Sequence, residues 1–283
     1  MTALIPSLPE LPRDWGIQSP KHVARTDIAD VYRVQSRWGP AALKLFKARN
    51  SRNEGRAPHW LEAMKGPGVV RCLAHEPGIV LLEWLEGPAL GDICRQGADR
   101  LADLELAELA QRLLSRRTPE QADFPDHASW CKALWAYEPQ AWWQPEDVAA
   151  LKTAKALARH LLDTAPTPHL LHGDLHHDNV IRTDAGCVAI DPKGLWGDPA
   201  FELANAFRNP KGFEGRLMPA CQAGRLELFA RTTGLEAERL AGWAMVKCLL
   251  SSVWAREDRT LVRFNLDVFQ TLRNAFADLR LLP

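Results

Sequence analysis

The sequence predicts an α+β chain in two lobes, a small antiparallel sheet carrying one helix and then a larger, mostly helical lobe. Up to about residue 86, apolar residues come in short runs rich in β-branched side chains and broken by Gly and Pro, as in strands joined by turns. After residue 90 they recur at helical spacing, and one short strand pair is all that interrupts the pattern. The expected division is residues 1–86 and 87–283, with a connecting hinge at about 83–90. A chain of 283 residues with 46% hydrophobic and 25% charged content is ordinary globular material, long enough to bury a sizeable core.

In the first part, "HVAR", "DVYRV" and "AALKLF" (22–25, 30–34 and 41–46) read as strands, with Gly39-Pro40 as the turn between the last two. "SRNEGRAPHWLEAM" (51–64) reads as the helix, with Pro58 disturbing its middle because proline has no amide hydrogen to donate. "VVRCLAH" and "GIVLLEWL" follow as strands around Pro77-Gly78, and "EGPAL" is the linker. In the second part, "ADRLADLELAELAQRLLSRR" places Leu101, Leu104 or Glu105, Leu109 and Leu113 on one helical face. Further helices are expected at 126–143, 146–164, 222–233, 236–256 and 260–281. The strand pair at 180–183 and 187–191 turns at Asp184-Ala185-Gly186.

A formal net charge of zero advertises neither nucleic acid nor an anionic membrane as a partner. The six cysteines form no CxxC pair, which argues against a zinc ribbon or a disulfide framework and suits a reducing cytoplasm. Pro6, Pro9 and Pro12 interrupt the start, which lacks a basic n-region, so no signal peptide is expected. The longest apolar run, "WAMVKCLLSSVWA", is short and contains Lys247, so no membrane span is expected either. Oligomeric state leaves no mark in the sequence.

The chemistry concentrates in "LLHGDLHHDNVI" (170–181). Such a density of ligands resembles the metal motif of metallo-β-lactamase-like hydrolases, but those sites need further histidines downstream. Here all nine histidines lie at or before His177. Phosphoryl transfer asks for an aspartate to orient or deprotonate the attacking hydroxyl and an asparagine five positions later for Mg²⁺. It also asks for a second aspartate at a strand end to hold Mg²⁺ against the phosphates. Asp174, Asn179 and Asp191 meet those spacings, and their hard oxygen donors suit magnesium.

Together with "VAIDPKGLWGDPAFELANAFRNP", the motif resembles the aminoglycoside phosphotransferase family, most closely its streptomycin 6-kinase and hydroxyurea-type kinase branch. That resemblance implies a protein-kinase-like two-lobed fold. It also implies an ATP- and Mg²⁺-dependent transfer to a hydroxyl of a small molecule, an aminoglycoside or hydroxyurea-type antibiotic. It assigns Lys44, on the third strand, to the nucleotide phosphates, with Glu54 as its carboxylate partner and Glu62 in reserve. Ser51-x-x-Glu54 also reads as a capping box, which would explain Glu54 without catalysis. Backbone amides of Asp27 to Ala29 would face phosphate, and Glu83, Trp84 and Leu85 would form the hinge that meets adenine. Pro192-Lys193-Gly194 stands where protein kinases carry Phe-Gly, which argues against a protein kinase. A same-fold kinase of a metabolic amino sugar or choline-like alcohol stays open, as does a catalytically silent kinase-like binding module.

On the substrate side, Asp198, Glu202 and His177 are candidate contacts. Each has a structural alternative: a helix cap for Asp198, an internal salt bridge for Glu202, a backbone hydrogen bond for His177. His172 is expected to brace the loop. Residues 225–283 carry nine Lys or Arg against seven Asp or Glu, so no acidic pocket for a guanidinium-bearing acceptor is evident. Trp130, Trp135, Trp142 and Trp143 fall before the motif; indoles of their size favour burial, with a share available to stack on an acceptor.

Overall fold

The computed structural model of the chain describes residues 11–26, 28–47, 55–116 and 124–282. It comprises two compact units, Met1–Glu86 and Gly87–Pro283. In the first, β1 (Gln18–Arg25), β2 (Ala29–Ser36), β3 (Gly39–Phe46), β4 (Cys72–Glu76) and β5 (Ile79–Glu83) form an antiparallel sheet in the order β1-β2-β3-β5-β4. Strand side chains alternate between faces. Tyr32, Val34, Ala41, Leu43 and Leu81 therefore share one face and bury it with Trp15, while Lys44 projects from the other, opposite Val31 and Val80 in register.

Two local expectations shift. The β2–β3 turn is Arg37-Trp38, because Gly39, at φ +95°, already pairs with Ser36. The helix α1 (Ala57–Ala63) places Pro58 in its first turn, where the missing N–H would have had no helical partner in any case.

The second unit contains α2 (Leu90–Arg95), α3 (Asp99–Leu114), α4 (His127–Trp135), α5 (Pro145–Asp163), α6 (Pro219–Thr233), α7 (Ala237–Trp254) and α8 (Arg259–Ala275). α2 occupies the end of the expected linker. α3 buries Ala102, Asp103, Leu106, Leu109, Ala110 and Leu113 against its neighbours and leaves Leu101 42% exposed. Its inner stripe, which packs against α6, is rotated from the one the leucines suggest and takes in Ala102 and Ala110. α4 stops at Trp135 rather than 143, as Pro139 disfavours helix in the residue before it. α7 is packed by α4, α5, α6 and α8 and is buried on nearly every side from Leu240 to Ser252.

Two short ladders frame the motif. β6 (His169–Leu171) pairs antiparallel with β9 (Leu195–Gly197), and β7 (Val180–Thr183) with β8 (Gly186–Ala189). The first was not expected, since three residues are too few to show a period. No helix among the described residues is long and apolar enough to cross a membrane.

Candidate active site

The loop leaving β6 is held by buried side chains that bond to backbone. His172 accepts the Asp174 N–H at Nδ1 (3.3 Å) and donates from Nε2 to Ile190 O (2.9 Å). That pairing needs the neutral imidazole, and burial pushes its pKa down to about 4. His172 O accepts the N–H groups of Lys193 (2.8 Å) and Gly194 (3.1 Å). Glu202 accepts from His172 N (3.0 Å) and Gly173 N (3.2 Å). Burial lifts its carboxyl to about 7, against the pull of those two donors.

Asp174 sits in this braced loop. Its Oδ1 accepts from Asn205 Nδ2 at 2.7 Å, and its Oδ2 accepts no hydrogen bond among the described residues. Asn205 Oδ1 accepts from Arg208 Nη1 (3.0 Å), and Arg208 Nε donates to Asn265 Oδ1 on α8 (3.0 Å). Burial opposes charge on Asp174, but the Lys247 ammonium, then His176 and Lys193, outweigh it and hold the carboxyl below the usual range. It is ionised at neutral pH and able to accept a proton. Lys247 itself is pushed down to about 8 by burial, with Asp174 pulling the other way.

The β7–β8 hairpin gathers the two candidate metal ligands. Val180 pairs with Ala189, and the Ile190 N–H to Asn179 O bond (2.9 Å) extends that register, so Asn179 and Asp191 lie at the same end. Asn179 Nδ2 donates to Asp174 O (2.9 Å), while its Oδ1 accepts no hydrogen bond among the described residues. Asp191 adopts φ +59°, a left-handed conformation that Asp enters more readily than most side chains. Two oxygen donors suit magnesium, which usually keeps waters and phosphate oxygens for the rest of its shell. Among the described residues no group of three or more His, Cys, Asp or Glu is arranged to hold a metal ion. His172 and His177 bond instead to Ile190 O and Asp103.

The three expected substrate contacts are internal struts. His177, fully buried, lies with Nε2 2.7 Å from Asp103 Oδ1, and Arg225 Nε is 2.9 Å from the same oxygen. Burial pushes His177 down to about 4; burial also opposes charge on Asp103, but Arg225 and His177 hold that carboxyl low. Asp198 caps the turn Pro199–Phe201 through Ala200 N (3.0 Å) and binds Arg239 Nε (2.9 Å) and Trp243 Nε1 (2.7 Å). Glu202 bonds the loop backbone as described. With 0%, 2% and 1% of their surfaces exposed, His177, Asp198 and Glu202 present nothing to an acceptor. Buried polar groups need partners from within; Asp198 and Glu202 have them, and His177 has one through Nε2, while its Nδ1 has none among the described residues.

In the first unit, Lys44 Nζ lies 5.1 Å from the Phe46 ring centroid. Glu62 pairs with Lys65 on the surface at 2.6 Å and so does not serve in reserve; Glu54 and Asp27 lie outside the described residues. Glu83 N donates to Arg71 O (3.0 Å), and Trp84 N to Pro40 O (3.2 Å). Two of the three hinge amides are therefore engaged within the unit. Leu85 makes no backbone hydrogen bond among the described residues.

Asn205, Arg208, Asn265, Lys247, Asp103 and Arg225 escaped the reading of the sequence. Three had a legible signal. Asn205 and Arg208 are polar residues three apart in the otherwise apolar "LANAFRNP", and Lys247 interrupts the most apolar run of the chain.

Residues 14–259 match the model of the aminoglycoside/hydroxyurea antibiotic resistance kinase family. The chain belongs to that family. This kinase is 34% identical over 221 residues to a streptomycin 3''-kinase from Klebsiella pneumoniae, covering 76% of this chain and 79% of the relative. It is 31% identical over 260 residues to a streptomycin 6-kinase from Streptomyces griseus (88% and 80%). A hydroxyurea phosphotransferase from Kitasatospora aureofaciens is 34% identical over 225 residues (77% and 63%).

Among solved structures, the kinase resembles a thermostable mutant of aminoglycoside phosphotransferase APH(4)-Ia in ternary complex with ADP and hygromycin B. The TM-score is 0.67 at 13% identity, over 93% of this chain and 96% of that one. A choline/ethanolamine kinase family protein from Mesorhizobium loti gives 0.67 at 14% identity (92% and 88%). Identities this low establish the fold, which is the α+β protein-kinase-like fold the motif implied.

Proposed function

We propose that this kinase transfers the γ-phosphoryl group of ATP to a hydroxyl of a small molecule. Streptomycin-type aminoglycosides and hydroxyurea are the first acceptors to test. The observation that carries this reading is Asp174: ionised, fixed through Oδ1 by Asn205, and with Oδ2 open to a hydroxyl proton. In this mechanism Asp174 orients and deprotonates the acceptor hydroxyl. Asn179 and Asp191 are the residues that would hold Mg²⁺, which when bound neutralises charge on the phosphate oxygens. Lys44 steadies the nucleotide phosphates, and the Leu85 amide is the hinge donor for adenine. Positioning and charge neutralisation supply most of the rate enhancement.

The positive charges around Asp174 weigh against a choline-like alcohol, whose quaternary ammonium sits next to its hydroxyl. The six free cysteines suit a reducing compartment, and the cytoplasm is the proposed location. Calorimetric titration of ATP, with and without Mg²⁺, into wild type and Asp191→Asn tests the nucleotide site. Magnesium-dependent binding that collapses in the variant supports it; no binding in either protein leaves a catalytically silent module. Asp174→Ala should keep ATP binding while turnover falls roughly 10²- to 10⁴-fold, the usual span for a general base. Unchanged turnover removes Asp174 from the mechanism.

A further inference from the structure

The helical unit holds an ammonium, Lys247, on which Asp174 is the chief charge acting and whose Nζ reaches no hydrogen-bond acceptor among the described residues. Lys247 enters from α7 with only 4% of its surface open. Its neighbours are two indoles. Nζ lies 4.7 Å from the Trp254 ring centroid and 5.8 Å from that of Trp130, and the two rings meet edge to face at 5.3 Å. Trp130 joins this group to the catalytic loop, since its ring edge lies 3.6 Å from where a Cβ on Gly173 would stand. Trp254 is 49% exposed, so the group opens to solvent on that side.

An ammonium carries three donors, and contact with aromatic faces satisfies none of them as a hydrogen bond would. The Nζ is not among the fully enclosed atoms that lack a partner, so its donors face open space, and the cluster marks a place for an oxygen from a ligand. The surrounding charge decides what kind of oxygen. The chief charges acting on Lys247 are Asp174, which attracts it, and Arg208 and Lys193, which add to its positive field. Of the charges acting on Asp174, the Lys247 ammonium is the largest.

We infer that Lys247, Trp130 and Trp254 form an acceptor subsite beside Asp174. It takes an oxygen-bearing, uncharged or anionic part of the substrate, packed on the indoles, and turns away ammonium and guanidinium groups. The inference rests on the kinase reading, in which Asp174 receives the acceptor hydroxyl. An acceptor that carries guanidinium groups is then bound with its sugar oxygens toward Lys247 and its cations away from it.

The test uses binding and turnover as separate readouts. Intrinsic tryptophan fluorescence of the full chain is titrated with three sugars that differ in one substituent: glucuronate, glucose and glucosamine. Wild type should bind glucuronate about tenfold or more tightly than glucosamine, with glucose between them, as expected when one charge-assisted hydrogen bond is gained and one repulsion avoided. Lys247→Met should abolish that ranking. Replacing a buried ammonium with an apolar side chain of similar length is compatible with folding, which a thermal melt checks. Trp254→Ala, at an exposed position, should lose most of the fluorescence response. No response in wild type, an equal or reversed ranking, or a ranking that persists in Lys247→Met overturns the subsite. Acceptor-dependent release of ADP, measured with streptomycin and hydroxyurea, reports on the kinase reading alone. Its absence would remove streptomycin and hydroxyurea as acceptors, and absence of magnesium-dependent ATP binding would overturn the kinase reading; either outcome leaves the binding ranking as an independent result.

Discussion

Replacing Asn205 with alanine removes the one hydrogen bond that holds the Asp174 carboxylate among the described residues. The Nδ2 to Oδ1 distance is 2.7 Å, and the acceptor is ionised, so the bond belongs to the stronger, charge-assisted kind. Such bonds contribute roughly 1.5–3 kcal/mol. If that energy is fully expressed in the transition state, turnover falls about 10- to 150-fold, taking about 1.4 kcal/mol per factor of ten. The loss should appear in kcat and not in the KM for ATP, because Asn205 holds Asp174 and bonds to none of the residues proposed to hold the nucleotide or Mg²⁺.

The same substitution also frees Arg208 Nη1, but Arg208 keeps its bonds to Asn265. Stability should therefore drop only by about 1–2 kcal/mol, read as a shift in urea midpoint with unchanged slope. Asn205→Asp supplies a second discriminating variant. It sets a carboxylate against a carboxylate, so turnover should fall further than in Asn205→Ala even though the side chain is nearly isosteric. Steady-state kinetics with saturating ATP measure both. An Asn205→Ala enzyme within about twofold of wild type would refute the claim that this bond positions Asp174, since even the weakest charge-assisted bond predicts more.

Three further outcomes follow from the geometry. Glu202 has its carboxyl raised from 4.5 to about 7 by burial, so its favourable contribution is complete below the unfolded value and is lost as pH rises through the folded one. Between about pH 4.5 and 7.5, wild type should lose on the order of 3 kcal/mol relative to Glu202→Gln, and parallel stability curves would refute it. Asp103→Ala strands Arg225 and His177 in the core, so denaturant melts should show a loss of about 3–5 kcal/mol; a change below about 1 would mean the pair is dispensable. Gly87→Ala puts a Cβ 1.9 Å from Arg182 O at a backbone φ of +137°, and thermal melts should register a cost of about 2–4 kcal/mol.

Much of this protein is written in short-range pattern. The alternation in 41–46 is enough to send Leu43 into the core and Lys44 to the opposite face, because a strand allows only two directions. The spacing of Asp174, Asn179 and Asp191 names the motif because all three lie on one loop and one hairpin, where separation along the chain constrains separation in space. The change of period near residue 90 marks the passage from sheet to helices for the same local reason.

Long-range packing decided the rest. Whether His177, Asp198 and Glu202 face a substrate or the interior depends on partners far away in sequence: Asp103, 74 residues off, Trp243, 45 residues off, and His172, 30 residues off. A carboxylate beside a backbone amide or an indole N–H is a strut; the same carboxylate beside solvent is a binding group, and the sequence around it reads identically. Lys247 shows the converse. In the sequence it only interrupts an apolar run, whereas the packing of α7 against α4 brings it beside Trp130, which meets Trp254 of α7 edge to face, and Asp174 is the chief charge acting on it. The sequence alone determined the lobes, the motif and the family, since local spacing carries them. Only the tertiary structure decided which charges are struts and which remain open to a ligand, because burial and charge pairing arise when distant segments meet.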